Sequence, residues 1–180
     1  MMHIHTRRAF TLIELLITIA IIAIITTLAV PQFQQDLMKK EVQSSQIKLS
    51  HAIQMARQYA MSQANHVVIC SASTHTSCSN DSWSQGFLVF VDINNNRQID
   101  TNESVLLSEH LNLKYGSLKW GSLNSNNLSF IPHTGLPLGS NGTFSYCAQK
   151  TQFSYSLVVS QMGHSRIDQS QNCNSETSET

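Results

Sequence analysis

The sequence predicts an α+β protein in which one long N-terminal helix packs on a C-terminal antiparallel β-sheet domain. Three observations predict it. Residues 10–30 form an apolar run broken by a single charge, Glu14. Apolar residues then recur at helical spacing to about Ala64, in a stretch free of Gly and of any Pro after Pro31. Beyond Asn65 the pattern changes to short β-like runs divided by Asn, Gly, Pro and Ser. A helix followed by segregated strands is the α+β arrangement.

The apolar run comes first in the chain. Its 21 residues, at about 1.5 Å per residue, span roughly the ~30 Å hydrocarbon core of a bilayer. Arg7 and Arg8 precede it, so the positive-inside rule keeps residues 1–9 in the cytoplasm and sends everything after Val30 outward. A carboxylate inside such a span costs about 2.5–3.5 kcal/mol at the helix centre and less near an end, so Glu14 needs a reason. Two readings compete at this point. Glu14 can be an acid tolerated near the interface of an ordinary secretory signal, with a cut after Ala29 that leaves a soluble domain starting at Val30. Otherwise the run stays with the protein as an anchor.

Residues 31–65 continue as an amphipathic helix. Pro31 removes a helical hydrogen bond and is expected to kink the chain there. Phe33 and Leu37, then Leu49, Ile53, Ala56 and Ala60, recur at spacings of three and four with Lys, Gln and Ser between them, which gives one apolar stripe to lay on a sheet. Strands are expected at residues 67–70, 86–91, 105–107, 128–131, 143–146 and 155–159. Turns or loops are expected at residues 94–96, 122–127, 132–137 and 139–142. The β-rich domain thus covers residues 66–173, and the polar tail at residues 174–180 lacks the apolar content to order itself.

Composition narrows function more than it identifies it. The chain has 180 residues, 41% of them apolar, enough for one folded core. Eleven basic residues balance eleven acidic ones, so no strong field directs the protein to nucleic acid or an acidic partner. All four cysteines, Cys70, Cys78, Cys147 and Cys173, lie in the outward part, where an even number reads as two disulfides. Three connectivities exist. The expectation is pairing of neighbours, Cys70 with Cys78 and Cys147 with Cys173.

The segment Arg7-Arg8-Ala9-Phe10-Thr11-Leu12-Ile13-Glu14-Leu15-Leu16 resembles the prepilin-peptidase recognition segment of type IV pilins and type II secretion pseudopilins. The resemblance implies cleavage between Ala9 and Phe10, N-methylation of Phe10, and a filament in which Glu14 pairs with the free amine of Phe10 on a neighbouring subunit. Ala9 departs from the usual Gly of that family and remains small. Later features keep the order of the GspH/FimT branch of minor pilins and pseudopilins. They are the Cys70 to Cys78 loop, the run from Trp83 through Gly86 to Asp92, Asn94 and Asn96, then Phe130-Ile131-Pro132 with Gly135, and Val158-Val159-Ser160 leading to Gly163. What the resemblance implies is a structural subunit at or near a filament tip, in a type IV pilus or a type II secretion pseudopilus. Its partners would be other pilins or pseudopilins, the prepilin peptidase, and the bacterial inner membrane before assembly. The domain would be periplasmic, or extracellular once in a pilus.

Other constellations are weighed against this. Asp92, Asn94, Asn96, Asp100 and Glu103 fall at positions 1, 3, 5, 9 and 12 of a calcium-loop template. Arg97 occupies the sixth position, where the template wants Gly, so a polar turn with acids pairing Arg97 is the favoured reading and no metal is expected. Eight histidines, with His3 and His5 in the leader, show no ligand spacing for zinc. No nucleophile elbow or phosphate loop occurs, so neither an enzyme nor a cofactor is expected. Some FimT-like minor pilins bind DNA through Gly-Arg-x-Arg, and the corresponding stretch here is Gly163-His164-Ser165-Arg166. Leader removal would leave nine basic residues against eleven acidic. With Arg166 as its one basic contact beside Asp168, DNA is an alternative that is not favoured.

Overall fold

The computed structural model describes residues 11–123, 125–169 and 173. The expected leader at residues 1–9, with the Ala9/Phe10 junction, and the expected tail at residues 174–180 lie outside the described residues. Helix α1 runs Leu12–Gln63. Strands follow as β1 His66–Ser71, β2 Gly86–Asp92, β3 Val105–His110, β4 Gly116–Gly121, β5 Leu128–Phe130, β6 Gly142–Ala148, β7 Tyr155–Val159 and β8 Ser165–Gln169, with a 3-10 turn Thr151–Phe153 before β7. Residues 1–37 and 38–180 form two compact units.

In the first unit α1 passes through Pro31 without ending. In the second, α1 buries one stripe, Met38, Val42, Ser45, Leu49, Ala52, Ile53, Ala56 and Ala60. Of the expected stripe, Leu49, Ile53, Ala56 and Ala60 are buried, whereas Phe33, in the first unit, is 65% exposed. The buried stripe starts later, at Met38, and includes a polar member, Ser45, whose hydroxyl is satisfied by the carbonyl of Val42 and the hydroxyl of Tyr155.

Among the described residues eight strands form two four-stranded antiparallel sheets, ordered β3-β2-β1-β5 and β4-β6-β7-β8. The sequence reading missed β4 and β8. Both are edge strands, buried on at most one face, and neither carries a run of apolar residues. The register sets Val67 opposite Val91 and Phe130, and Leu118 opposite Tyr146.

Alternation along β1 divides the interior. Val67 and Ile69 join the helix stripe, Phe87, Val89, Leu128, Phe130 and the inward residues of the second sheet in one large core. Val68 and Cys70 face the other way, into a smaller cluster with Ala72, Leu88 and Phe90, against which Cys78 and Ile99 pack. The first sheet is therefore covered on both faces, which is why β2 reads as a continuous apolar run.

Candidate functional site

The first turn of α1 is built by its own sequence. The Thr11 hydroxyl accepts the Glu14 N–H at 3.3 Å, and the Thr11 carbonyl accepts the Leu15 N–H at 3.2 Å. Thr11-x-x-Glu14 is a capping-box spacing, which the sequence reading passed over although the signal is local. The cap starts the helix at Leu12, and Glu14, in the first turn, lies where the helix dipole favours an anion. Among the described residues nothing pairs its carboxylate.

Around Glu14 the helix is apolar on every side and uncovered. Leu12 is 77% exposed and Ile13 67%, and Leu15, Leu16, Ile17, Ile19, Ile21, Ile22, Ile24 and Ile25 are also exposed. The most apolar window has mean hydropathy 2.6 with none of it buried. A helix apolar all round needs an apolar environment, lipid or other helices. The threonines fit that environment: Thr18 donates to the Leu15 carbonyl at 2.8 Å, Thr26 to those of Ile22 and Ala23 at 3.0 Å, and Thr27 to that of Ile24 at 2.9 Å. No hydroxyl of the three is left without an acceptor, as a nonaqueous setting requires.

Within the second unit α1 is held by polar pins that sequence spacing could not show. Glu41 accepts the backbone N–H groups of Lys114 at 2.8 Å and Tyr115 at 3.0 Å, and the Tyr146 hydroxyl at 2.7 Å. Tyr146 stacks on Tyr155, ring centroids 5.2 Å apart and 8° from parallel. Burial, then the hydrogen bond and charge of Glu41, push the Tyr146 hydroxyl far above its ordinary pKa. Burial pushes Tyr155 up to about 12, against a lowering contribution from Ser45. Arg57 donates to the Gly163 carbonyl at 3.1 Å. Gly163 (φ 73°) and Gly135 (φ 59°) are left-handed, and a Cβ on either would press on Arg57, so the spacing of these two glycines has a packing cause.

The other sequence-predicted residues are placed as follows. Cys70 is bonded to Cys78 and Cys147 to Cys173, with Cα–Cα distances of 5.7 and 5.6 Å. Asp92, Asn94, Asn96, Asp100 and Glu103 do come together, but their oxygens face the loop's own N–H groups. Asp92 accepts from the backbone of Asn96 and Arg97 at 3.1 and 2.9 Å, Glu103 from that of Ile93 and Asp100 at 2.8 and 3.0 Å. Asp100 accepts from the amides of Asn94 and Asn96 at 2.8 and 2.9 Å. The expected pairing of acids with the Arg97 charge is not what the loop shows: Asp92 takes its backbone N–H, and the guanidinium donates to the Ser125 hydroxyl at 3.1 Å. Arg97 is itself left-handed (φ 60°), standing where the template has Gly. Arg166 is paired with Asp168 at 3.1 Å on the exposed strand β8. His75 and His110, 35 residues apart, meet with their Nε2 atoms 2.7 Å apart, a contact the sequence reading did not foresee.

Residues 48–163 match the family model described as Type II transport protein GspH, and residues 4–30 match the one described as Prokaryotic N-terminal methylation motif. Two crystal forms of the type IV minor pilin FimU of Pseudomonas aeruginosa are similar to the chain, each at 21% identity. One covers 72% of this chain and 89% of its own with a TM-score of 0.53; the other covers 70% and 91% with a TM-score of 0.49. No curated protein matches the chain. None of these descriptions speaks of nucleic acid, and the DNA-binding alternative gains no support.

Proposed function

The chain belongs to the GspH family of type II transport proteins, and from that membership we propose that it works as a membrane-anchored filament subunit incorporated through residues 10–37. It is a minor pilin or pseudopilin. The observation that carries the proposal is the uncovered apolar helix with one carboxylate in a capped first turn, lying within the methylation-motif match.

In this reading the prepilin peptidase cuts between Ala9 and Phe10 on the cytoplasmic side, and Phe10 is N-methylated. The subunit then rests in the inner membrane with its β domain in the periplasm until assembly. Lateral transfer into a filament exchanges lipid for neighbouring helices around the same apolar surface. Glu14 supplies the directional contact, since an unpaired carboxylate in an apolar bundle is costly and the amine of a neighbour's Phe10 relieves it. Placement at or near the tip, helping to initiate assembly, follows the resemblance to minor subunits, in a type IV pilus or a type II secretion pseudopilus. The fold itself is that of structural subunits rather than of known enzymes.

The deciding experiment is mass determination of the mature N-terminus on protein purified from host membranes. N-methylated Phe10 is the expected result. A start at Val30 would replace the filament subunit with a secreted soluble domain.

A further inference from the structure

We propose that His75 and His110 form a binding site for a divalent transition metal of the zinc class, linking the Cys70–Cys78 loop to the end of β3. Their Nε2 atoms are 2.7 Å apart and the rings are set edge to face at 82°. Two imidazoles on one tetrahedral zinc, with Zn–N of about 2.0–2.1 Å, hold their nitrogens about 3.3 Å apart. A metal therefore enters between the rings after an opening of roughly 0.6 Å, well within the rotation of two exposed side chains.

The surroundings suit a ligand pair. His75 Nδ1 lies 2.6 Å from the Ser108 hydroxyl. When Nδ1 donates there, the lone pair of His75 is fixed on Nε2, the arrangement that outer partners impose on metal-binding histidines. His110 Nε2 donates to that lone pair in the metal-free state. On binding, its proton moves to Nδ1 through solvent, and both Nε2 lone pairs face the ion. The adjacent charges, Lys48 and Glu109, neutralise each other at 2.7 Å. Among the described residues no third His, Cys, Asp or Glu joins the pair, so water completes the coordination. The disulfide strengthens the case, because the loop that carries His75 is already tied to β1 at Cys70 and brings the ring to the sheet edge in a restricted set of positions.

The test is titration of the full chain in detergent micelles with Zn2+, followed by calorimetry and thermal unfolding. His3→Gln with His5→Gln serves as parent, to remove the two leader imidazoles. The parent is expected to bind one Zn2+ and to gain in Tm with rising Zn2+. His75→Gln and His110→Gln should each weaken binding by more than about tenfold, and Ser108→Ala, an outer partner, by about tenfold. Circular dichroism of each variant checks its fold; His75 and His110 are exposed and Ser108 is half-buried. Wild-type affinity in His110→Gln, or no Zn2+ binding in the parent, overturns the proposal.

Discussion

The place of Glu14 in the helix start and its proposed pairing in a filament are separable, and they predict different losses. Its place in the first turn supports the helix start together with Thr11, whose hydroxyl accepts the Glu14 N–H. Thr11→Ala should weaken the cap by about 1 kcal/mol and fray the helix end without abolishing membrane residence. Glu14→Ala should leave insertion intact and impair incorporation, measured as subunit in the sheared filament fraction against the membrane fraction. Equal amounts in the filament fraction for Glu14→Ala and wild type would remove the pairing role. At the same scale, Tyr146 and Tyr155 are held neutral by burial. Their folded pKa values lie above the unfolded value of about 10, so the folded state retains protons that the unfolded chain gives up. The stability associated with them is complete below pH 10 and falls as pH rises toward 12 and beyond. Tyrosinate absorbance followed with circular dichroism should show ionisation and unfolding together in that window. Tyr155→Phe should reduce the steepness of the loss.

At the scale of elements, the two disulfides act on different parts of the fold. Cys70–Cys78 pins the loop over the outer face of the first sheet, where Cys78 packs against Val68, Leu88 and Phe90. Cys147–Cys173 ties the residues after β8 back to β6 across 26 positions. In the chain-entropy account the longer loop gives the larger effect, about 3.5 kcal/mol against about 2.6 kcal/mol. Serine pairs at Cys147/Cys173 and at Cys70/Cys78, compared by urea unfolding, should fall in that order. The reverse order would mean that cover over the smaller cluster outweighs loop length. The α1 stripe is a second element-scale determinant: Ala52, Ala56 and Ala60 are fully buried, and all three belong to the large core cluster. Ala56→Leu should destabilise by about 1–3 kcal/mol through overpacking.

At the scale of the whole molecule, the division at Leu37 separates two kinds of apolar surface. Among the described residues every buried hydrophobic side chain belongs to residue 38 or later, and residues 11–27 are exposed. A chain beginning at Met38 should fold as a soluble monomer with both disulfides, while the full chain should require detergent or lipid. Sedimentation and circular dichroism compare them. Aggregation of the shorter chain would show that the helix before Met38 supports the domain as well as anchoring it.

Much of this architecture was legible beforehand because it is written in local patterns. The apolar run, the helical stripe at Leu49, Ile53, Ala56 and Ala60, and the strands with continuous or alternating apolar residues all follow from periodicity, which needs no partner to be read. The N-terminal methylation motif matched over residues 4–30 was legible for the same reason, as a contiguous stretch. What periodicity cannot carry is decided by segments far apart in sequence. Strands β4 and β8 become strands by hydrogen bonding to β6 and β7, and their own residues are largely polar or exposed. Glu41 looks like a solvated helix charge until Lys114, Tyr115 and Tyr146 are folded against it. His75 and His110 look scattered until the disulfide loop reaches the end of β3. The sequence by itself determined the elements whose burial repeats along the chain. Only the tertiary structure decided the edge strands, the buried polar pins and the histidine pair, because each depends on a partner that chain order does not place nearby.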